Sequence, residues 1–317
     1  MTEERRKVED NRLREEMADL ARSDRPVSMQ ALRKLSNLSR EQTRALRAAW
    51  PSLEVERRRA IVRSMVTLAE DNVELNFDAV YKAALDDVDL VVRAEAIEGL
   101  WENYDIDTAN KLLQMLKGDP EPEVRATAAA SLSRFTLEAE LGKLRGDLPS
   151  RLEASLLQVI SNRAEPVTVR RRAVEAIGYL SQPEVPGIIE AAYQDDDLAM
   201  RAGAIRAMGY HCDPRWLGAL LEELHSPEPE LRYEAAQSCG HLEDRRAVPD
   251  LIPLLQDRDR EVRLAAMAAL GEIGGREARR AIVHYLDSED EEVAEAASDA
   301  LQMLEFNEDP LQVMSNE

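Results

Sequence analysis

The sequence predicts an all-α fold, an α-solenoid of about seven stacked helical hairpins behind a helical N-terminal cap. Two observations carry this prediction. A short motif recurs in the C-terminal half at a fixed spacing of 31 residues. The composition is also poor in aromatic residues, which make up 4% of the 317 residues, and rich in the helix formers Ala, Leu, Glu and Arg.

The recurring motif is a Val-Arg pair or a near variant, followed by alanines, aliphatic residues and a glycine, as in VRLAAMAALG. Successive motif arginines are separated by 32, 45, 31, 31 and 31 residues, and a seventh copy has Ala294 in the arginine position after another 31. Such a fixed spacing predicts that each copy belongs to one structural repeat. The motif arginines are Arg93, Arg125, Arg170, Arg201, Arg232 and Arg263.

Each repeat contains a second helical segment before the motif, most clearly in RAVPDLIPLLQDRDREVR. There Val248, Leu251 and Leu255 follow the i, i+3, i+7 spacing of a helix with one apolar face. Asp257 and Asp259 predict a tight turn, with Asp259 capping the helix that follows. The unit is therefore helix, acidic turn, helix, and it buries its apolar face only by stacking on its neighbours.

These repeats resemble HEAT repeats, particularly the short alanine-rich type of phycobilisome lyase subunits and many bacterial proteins. The resemblance covers about residues 72–304 and rests on the acidic turn, the Val-Arg pair, the columns of Ala and Leu and the terminal Gly. It implies that each motif arginine pairs with an aspartate of a turn, forming a structural ladder along the stack. It implies little about function, because this architecture serves many unrelated tasks.

The residue three positions after the motif arginine is alanine in every copy. We expect this column to let the second helices of successive repeats approach closely. A bulky side chain there would overpack the core and cost about 1–3 kcal/mol. The column consists of Ala96, Ala128, Ala173, Ala204, Ala235, Ala266 and Ala297.

Three segments depart from the repeat. Residues 1–70 are predicted to be a charged helical region and cap, with a capping box at Ser39 and Gln42; the first 25 residues are either a frayed helix or a partner-binding arm. The repeats at 71–305 are interrupted near 136–150, where an extra short helix is predicted at 137–144 in a segment that is either a hinge or docking site or a tolerated insertion. Residues 306–317 are predicted to form an acidic tail.

The net charge of −21 argues against a nucleic-acid groove along the whole protein. Residues 1–70 are slightly basic, with 16 Lys and Arg against 12 Asp and Glu, so Arg57, Arg58 and Arg59 leave local nucleic-acid binding as a third hypothesis. No secretory leader and no apolar run near the ~20 residues of a membrane span are recognisable. Cys212 and Cys239 fit a reducing compartment, so we expect a cytoplasmic protein.

No motif points to catalysis. A phosphate-binding loop and a nucleophile elbow are missing, and GEIGG is better explained as a helix C-cap. The sequence also lacks the His-Glu pairs of deoxyhypusine hydroxylase, a metal enzyme with HEAT-like repeats. We therefore expect no enzymatic activity, metal or cofactor. One alternative is zinc bound by His211, Cys212, Cys239 and His241, although Cys239 lies in an aliphatic column where cysteine acts as a small apolar residue.

The second helices are expected to expose the positions one, five and nine residues after the motif arginine. In three successive repeats these positions form a candidate interaction stripe, because Tyr and Arg are enriched at binding hot spots. The alternative is that the tyrosines merely cover the rim of the stack. The stripe comprises Arg171, Tyr179, Arg206, Tyr210, Tyr233 and His241.

The function that follows from this pattern is a non-catalytic scaffold or adaptor. It would bind a protein or peptide on the concave face formed by the second helices, and a basic partner where the partner meets the acidic turns. The alternative is an accessory subunit for chromophore or cofactor attachment, which only the resemblance to phycobilisome lyase subunits suggests.

Overall fold

The computed structural model describes residues 20–22, 25–70, 72 and 74–308. Within these ranges the regular secondary structure is helical and contains no strand, so the all-α prediction is confirmed. Contacts divide the chain into two compact units, one ending at Phe135 and the other beginning at Thr136. Most of the proposed N-terminal arm and of the acidic tail lies outside the described residues.

The first unit starts with helices that precede the repeats. Among them, α2 (Arg40–Ala49) packs against α4 (Asp78–Ala84), and α3 (Val55–Glu70) packs against α5 (Leu90–Glu98). The capping box that begins α2 is confirmed: the Ser39 hydroxyl accepts from the Gln42 amide, and the Gln42 side chain accepts from the Ser39 amide. The helices are α1 Met29–Arg33, α2 Arg40–Ala49, α3 Val55–Glu70, α4 Asp78–Ala84, α5 Leu90–Glu98, α6 Ile106–Gly118 and α7 Pro122–Glu140.

In the second unit, consecutive hairpins align their second helices side by side. The helices are α8 Leu148–Ser161, α9 Val167–Ile177, α10 Val185–Tyr193, α11 Leu198–His211, α12 Leu217–Glu223, α13 Pro229–Leu242, α14 Val248–Leu254, α15 Arg260–Ile273, α16 Arg276–Val283 and α17 Glu291–Glu308. The second helices α9, α11, α13, α15 and α17 pack in that order, and each first helix packs on the second helix that follows it.

The segment predicted as an extra short helix at 137–144 is different in the structure. Helix α7 continues to Glu140 instead, because the residues from Leu137 to Glu140 are all good helix formers. The chain then turns at Gly142 and Gly146, whose φ angles of 68° and 74° favour glycine. The insertion is thus a longer second helix and a loop.

Small residues set the spacing of the second helices, as predicted. All seven column alanines, from Ala96 to Ala297, are completely buried. Glycines eight residues after the motif arginine add a second close contact: a Cβ on Gly209 would lie 2.9 Å from the Cα of Ser238 in the next helix. The C-cap interpretation of GEIGG fits Gly274, whose φ is 68°, whereas Gly271 lies inside α15 and packs against Ala300.

The motif arginines tie successive turns together. Arg93 donates to the carbonyl of Asp87 in its own turn at 2.9 Å, and to both carboxylate oxygens of Asp119 in the next turn at 2.8 and 2.7 Å. Arg232 repeats this arrangement with its own turn and with Asp257, where both distances are 2.8 Å. Asp259 caps α15 as predicted.

The ladder varies where the turn aspartate is replaced. The turn after Arg201 carries Ser226 in the aspartate position, and Arg201 pairs with Glu223 at 2.9 Å instead. The contact of Arg263 with Asp290 is long, at 4.0 Å. A hydroxyl cannot supply the bidentate carboxylate that an arginine in this position otherwise binds.

Arg125 and Arg170 also donate to backbone carbonyls. Arg125 donates to the carbonyl of Asp119 at 2.7 Å, and Arg170 donates to that of Ile160 at 3.2 Å while its contact with Asp195 is 3.9 Å. Carbonyl acceptors therefore help to hold both guanidinium groups.

Candidate functional site

The exposed edge of α9, α11 and α13 carries a column of stacked rings. Tyr179 lies just after α9, Tyr210 near the end of α11 and His241 near the end of α13. The ring centroids of Tyr179 and Tyr210 are 4.4 Å apart with 14° between the planes, and those of Tyr210 and His241 are 5.6 Å apart with 26°. The structure thus brings together the three rings that the repeat period places nine residues after the motif arginine.

The ring column is uncharged at neutral pH. Burial raises the pKa of Tyr179 and of Tyr210, both of which are half-buried, so both phenols stay protonated. Burial, together with the positive charge of Arg206, lowers the pKa of His241. Its imidazole is therefore neutral near pH 7.

The two stripe arginines belong to a partly buried ionic network. Arg206 donates to Glu234 through Nε at 2.8 Å, and Arg171 donates through Nε to Glu175 at 2.8 Å and through Nη1 to Glu230 at 3.0 Å. Glu175 is 4% exposed and Glu234 is 2% exposed. Because these residues come from α9, α11 and α13, the network links the helices that position the three rings.

The exposure expected at the first and fifth positions of the motif is partly wrong. Glu175 is buried within the network, and Ala202 is completely buried. Both lie where neighbouring second helices approach closely. Gly203 shows the fit directly, since a Cβ on it would lie 2.6 Å from Cγ of Arg171.

Sequence reasoning missed Glu234. Its carboxylate is the main partner of Arg206, and burial raises its pKa against the opposing effect of the Arg206 hydrogen bonds. The sequence did contain a signal: two positions after the motif arginine, α13 carries the charged Glu234 where α11 carries Gly203. Reading that signal requires knowing which helices are neighbours.

The remaining stripe residue, Tyr233, lies at the start of α13. Its ring is half-buried, and its hydroxyl accepts a hydrogen bond from the Gln237 side chain at 2.9 Å. Gln237 lies one helical turn after Tyr233 on the same helix. Tyr233 therefore belongs to the surface of α13 and is not part of the ring column.

An open depression of about 430 Å³ adjoins the ring column. Its lining includes the rings of Tyr210 and His241 and the side chains of Glu243, Glu272 and Met303. The surface beside the rings is therefore concave and combines aromatic faces with carboxylates.

The residues of the zinc hypothesis do not converge. Cys239 is completely buried, and burial raises its pKa to about 12, while the Cys212 thiol donates to the carbonyls of Gly209 and His241. Across the part of the chain that the structure describes, no group of three or more His, Cys, Asp or Glu side chains is placed to hold a metal ion.

The basic residues of the N-terminal region are engaged within the protein. Arg57 and Arg58 are 7% and 6% exposed, and Arg58 contacts Asp87 at 2.7 Å, in the manner of a ladder arginine one repeat earlier. Arg59 forms two hydrogen bonds with Asp89, at 2.9 and 2.6 Å. These contacts argue against the phosphate-binding role considered for the three arginines.

Comparison with known families agrees with this geometry. The family model described as HEAT repeats matches residues 77–148, 153–221 and 217–302. The chain belongs to the HEAT-repeat family. The solenoid fold and the resemblance drawn from the sequence are confirmed.

Among solved structures, the complex of CpcE and CpcF of phycocyanin lyase from Nostoc sp. PCC7120 is 17% identical, with a TM-score of 0.54, covering 84% of this chain and 96% of that one. Human deoxyhypusine hydroxylase in complex with glycerol is 21% identical, with a TM-score of 0.38, covering 94% and 97%. No curated protein matches the sequence. The likeness to the CpcE and CpcF complex shows a common fold alone. Within the described residues, no helix has the length and apolarity to cross a membrane.

Proposed function

We propose that this protein is a non-catalytic scaffold that binds a protein or peptide on the exposed edge of α9, α11 and α13. The observation that carries the proposal is the stack of Tyr179, Tyr210 and His241 on that edge. HEAT-type solenoids offer extended surfaces on which a partner makes contacts with several repeats. Tyrosine supplies a large apolar area with a polar tip, the combination typical of interface hot spots.

Pre-organisation supports the same proposal. Ordering a free side chain at an interface costs about 0.5–1.5 kcal/mol, and the tyrosine rings are already ordered by stacking on each other. The network of Arg171, Arg206, Glu175 and Glu234 fixes the helices beneath them. In this arrangement the tyrosines contact the partner, and the two arginines position the surface.

The test is affinity capture from the native host by the full-length protein, with quantitative mass spectrometry. The double variant Tyr179→Ala/Tyr210→Ala removes two stacked rings, so we expect it to lose the wild-type partner, because hot-spot truncations cost about 2 kcal/mol or more each. The matched control is Tyr104→Ala, since Tyr104 is 52% exposed and lies in the other unit. Circular dichroism checks that each variant is folded.

The two possible outcomes are distinct. If the control variant and the wild-type protein retain the partner while the double variant loses it, the stripe is the binding surface. Equal recovery of the partner by the folded double variant and the wild type would show that Tyr179 and Tyr210 are not involved.

A second candidate function is that of an accessory subunit in chromophore attachment. The likeness of fold to the CpcE and CpcF complex supports it. Visible absorbance that co-purifies with the chain from its native host would favour this function. Colourless protein that still captures a polypeptide partner through the stripe would favour the scaffold.

A further inference from the structure

We propose that the depression beside His241 binds an arginine side chain of the partner. The proposal rests on the scaffold function above and specifies the chemistry that the partner presents to it. The guanidinium would stack against the rings of Tyr210 and His241 and pair with the carboxylates of Glu272 and Glu243, which line the same depression.

The repeat sequence explains why the ring column ends at His241. The position that holds Tyr179, Tyr210 and His241 in three repeats holds Glu272 in α15 and Met303 in α17. The Glu272 side chain lies over Gly240 of α13, where an added Cβ would collide with its carboxylate. A carboxylate therefore occupies the column position that follows His241.

The two carboxylates that line the depression, Glu272 and Glu243, differ from the buried carboxylates of the ionic network in having no arginine partner in the described part of the chain. Glu175 and Glu234 are each paired with arginine. Within the described residues, no Lys or Arg forms an ion pair with Glu272 or Glu243. Burial and the neighbouring charge of Glu243 raise the pKa of Glu272, so a cation placed between the two carboxylates would offset a repulsion that is present in the unbound protein.

Arginine fits this arrangement better than lysine. The planar guanidinium stacks on aromatic faces and binds carboxylates through two parallel hydrogen bonds, whereas an ammonium group acts as a point charge. His241 does not oppose the cation near pH 7, because its imidazole is neutral. A neutral side chain in the depression would leave both carboxylates without a counter-charge.

The probe is acetyl-arginine amide, added to the full-length protein. Because the chain has four histidines, the ring resonances of His241 can be assigned and followed by NMR. We expect saturable shifts of these resonances with a millimolar Kd, weakened about tenfold by Glu272→Gln, since a hydrogen bond to a charged group contributes on that order. The control Glu190→Gln removes an exposed carboxylate of α10 and should leave the Kd unchanged.

Two further probes test the chemistry. Acetyl-citrulline amide keeps the shape and loses the charge, so it should not bind, and acetyl-lysine amide with a free ε-amino group should bind more weakly than the arginine probe. Equal binding of either probe, an unaltered Kd in Glu272→Gln, or the absence of saturable shifts would overturn the proposal.

Failure of this proposal is distinguishable from failure of the scaffold function. If the partner is lost in Tyr179→Ala/Tyr210→Ala but retained in Glu272→Gln, and the arginine probe does not bind, the stripe binds a partner without an arginine subsite. If the double variant retains the partner, the scaffold proposal itself is wrong.

Discussion

Gly209→Ala is predicted to destabilise the fold, although alanine is the better helix former. The added Cβ would lie 2.9 Å from both Cα and Cβ of Ser238, where ordinary contact begins at 3.4 Å. Helices α11 and α13 must therefore separate by about 0.5 Å, and overpacking of this kind costs about 1–3 kcal/mol. Helix propensity returns about 1 kcal/mol, so the net loss is about 0–2 kcal/mol.

The matched control is Gly187→Ala in α10, where an added Cβ meets nothing within 4 Å. This variant should gain stability by up to about 1 kcal/mol. The difference between the two variants isolates the overpacking term, and urea titrations followed by circular dichroism measure it. If both substitutions raise the unfolding midpoint equally, Gly209 does not set the helix spacing.

Three further predictions concern the ladder and the thiols. Arg232→Ala should lower the free energy of unfolding by about 2 kcal/mol because it leaves Asp257 unpaired. The control Arg246→Ala, at an exposed arginine, should leave the urea midpoint near that of the wild type. Equal effects of the two substitutions would contradict a stabilising role of the arginine ladder. Burial raises the pKa of Asp257, but its hydrogen bonds and the positive charge of Arg232 together lower it more, so this pKa lies below its usual value. The stabilisation of the fold by ionised Asp257 should therefore be present above pH ~4 and decline as the pH falls further. A normal carboxyl titration of Asp257 by NMR would contradict this. A thiol reagent should modify exposed Cys212 in the native protein and buried Cys239 only in urea; labelling of both thiols at the same rate in native protein would refute that burial.

The fold could be predicted from the sequence because the residues that specify it recur at a fixed period. The motif spacing defines the hairpins, and Ala204 or Ala266 can be assigned to the buried column from its position in the motif alone. The same periodicity placed Tyr179, Tyr210 and His241 in one column, since nine residues after each motif arginine is the same place in successive helices.

What the sequence could not predict depends on contacts between repeats. Arg206 was expected to face a partner, yet its guanidinium is bound by Glu234, 28 residues further along the chain. The period does not reveal which carboxylate faces which arginine. The extension of α7 to Glu140 was not predicted for a related reason. The same residues can form either a longer α7 or a separate short helix, and the two differ only in where the chain turns.

The most direct test of the scaffold proposal replaces Tyr210 with a photo-crosslinking phenylalanine analogue in the full-length protein and irradiates it in the native host. The proposed function predicts a specific crosslink to a polypeptide partner from this position, and none to that partner when the analogue replaces Tyr104. A partner that crosslinks from Tyr104 and not from Tyr210 would contradict it.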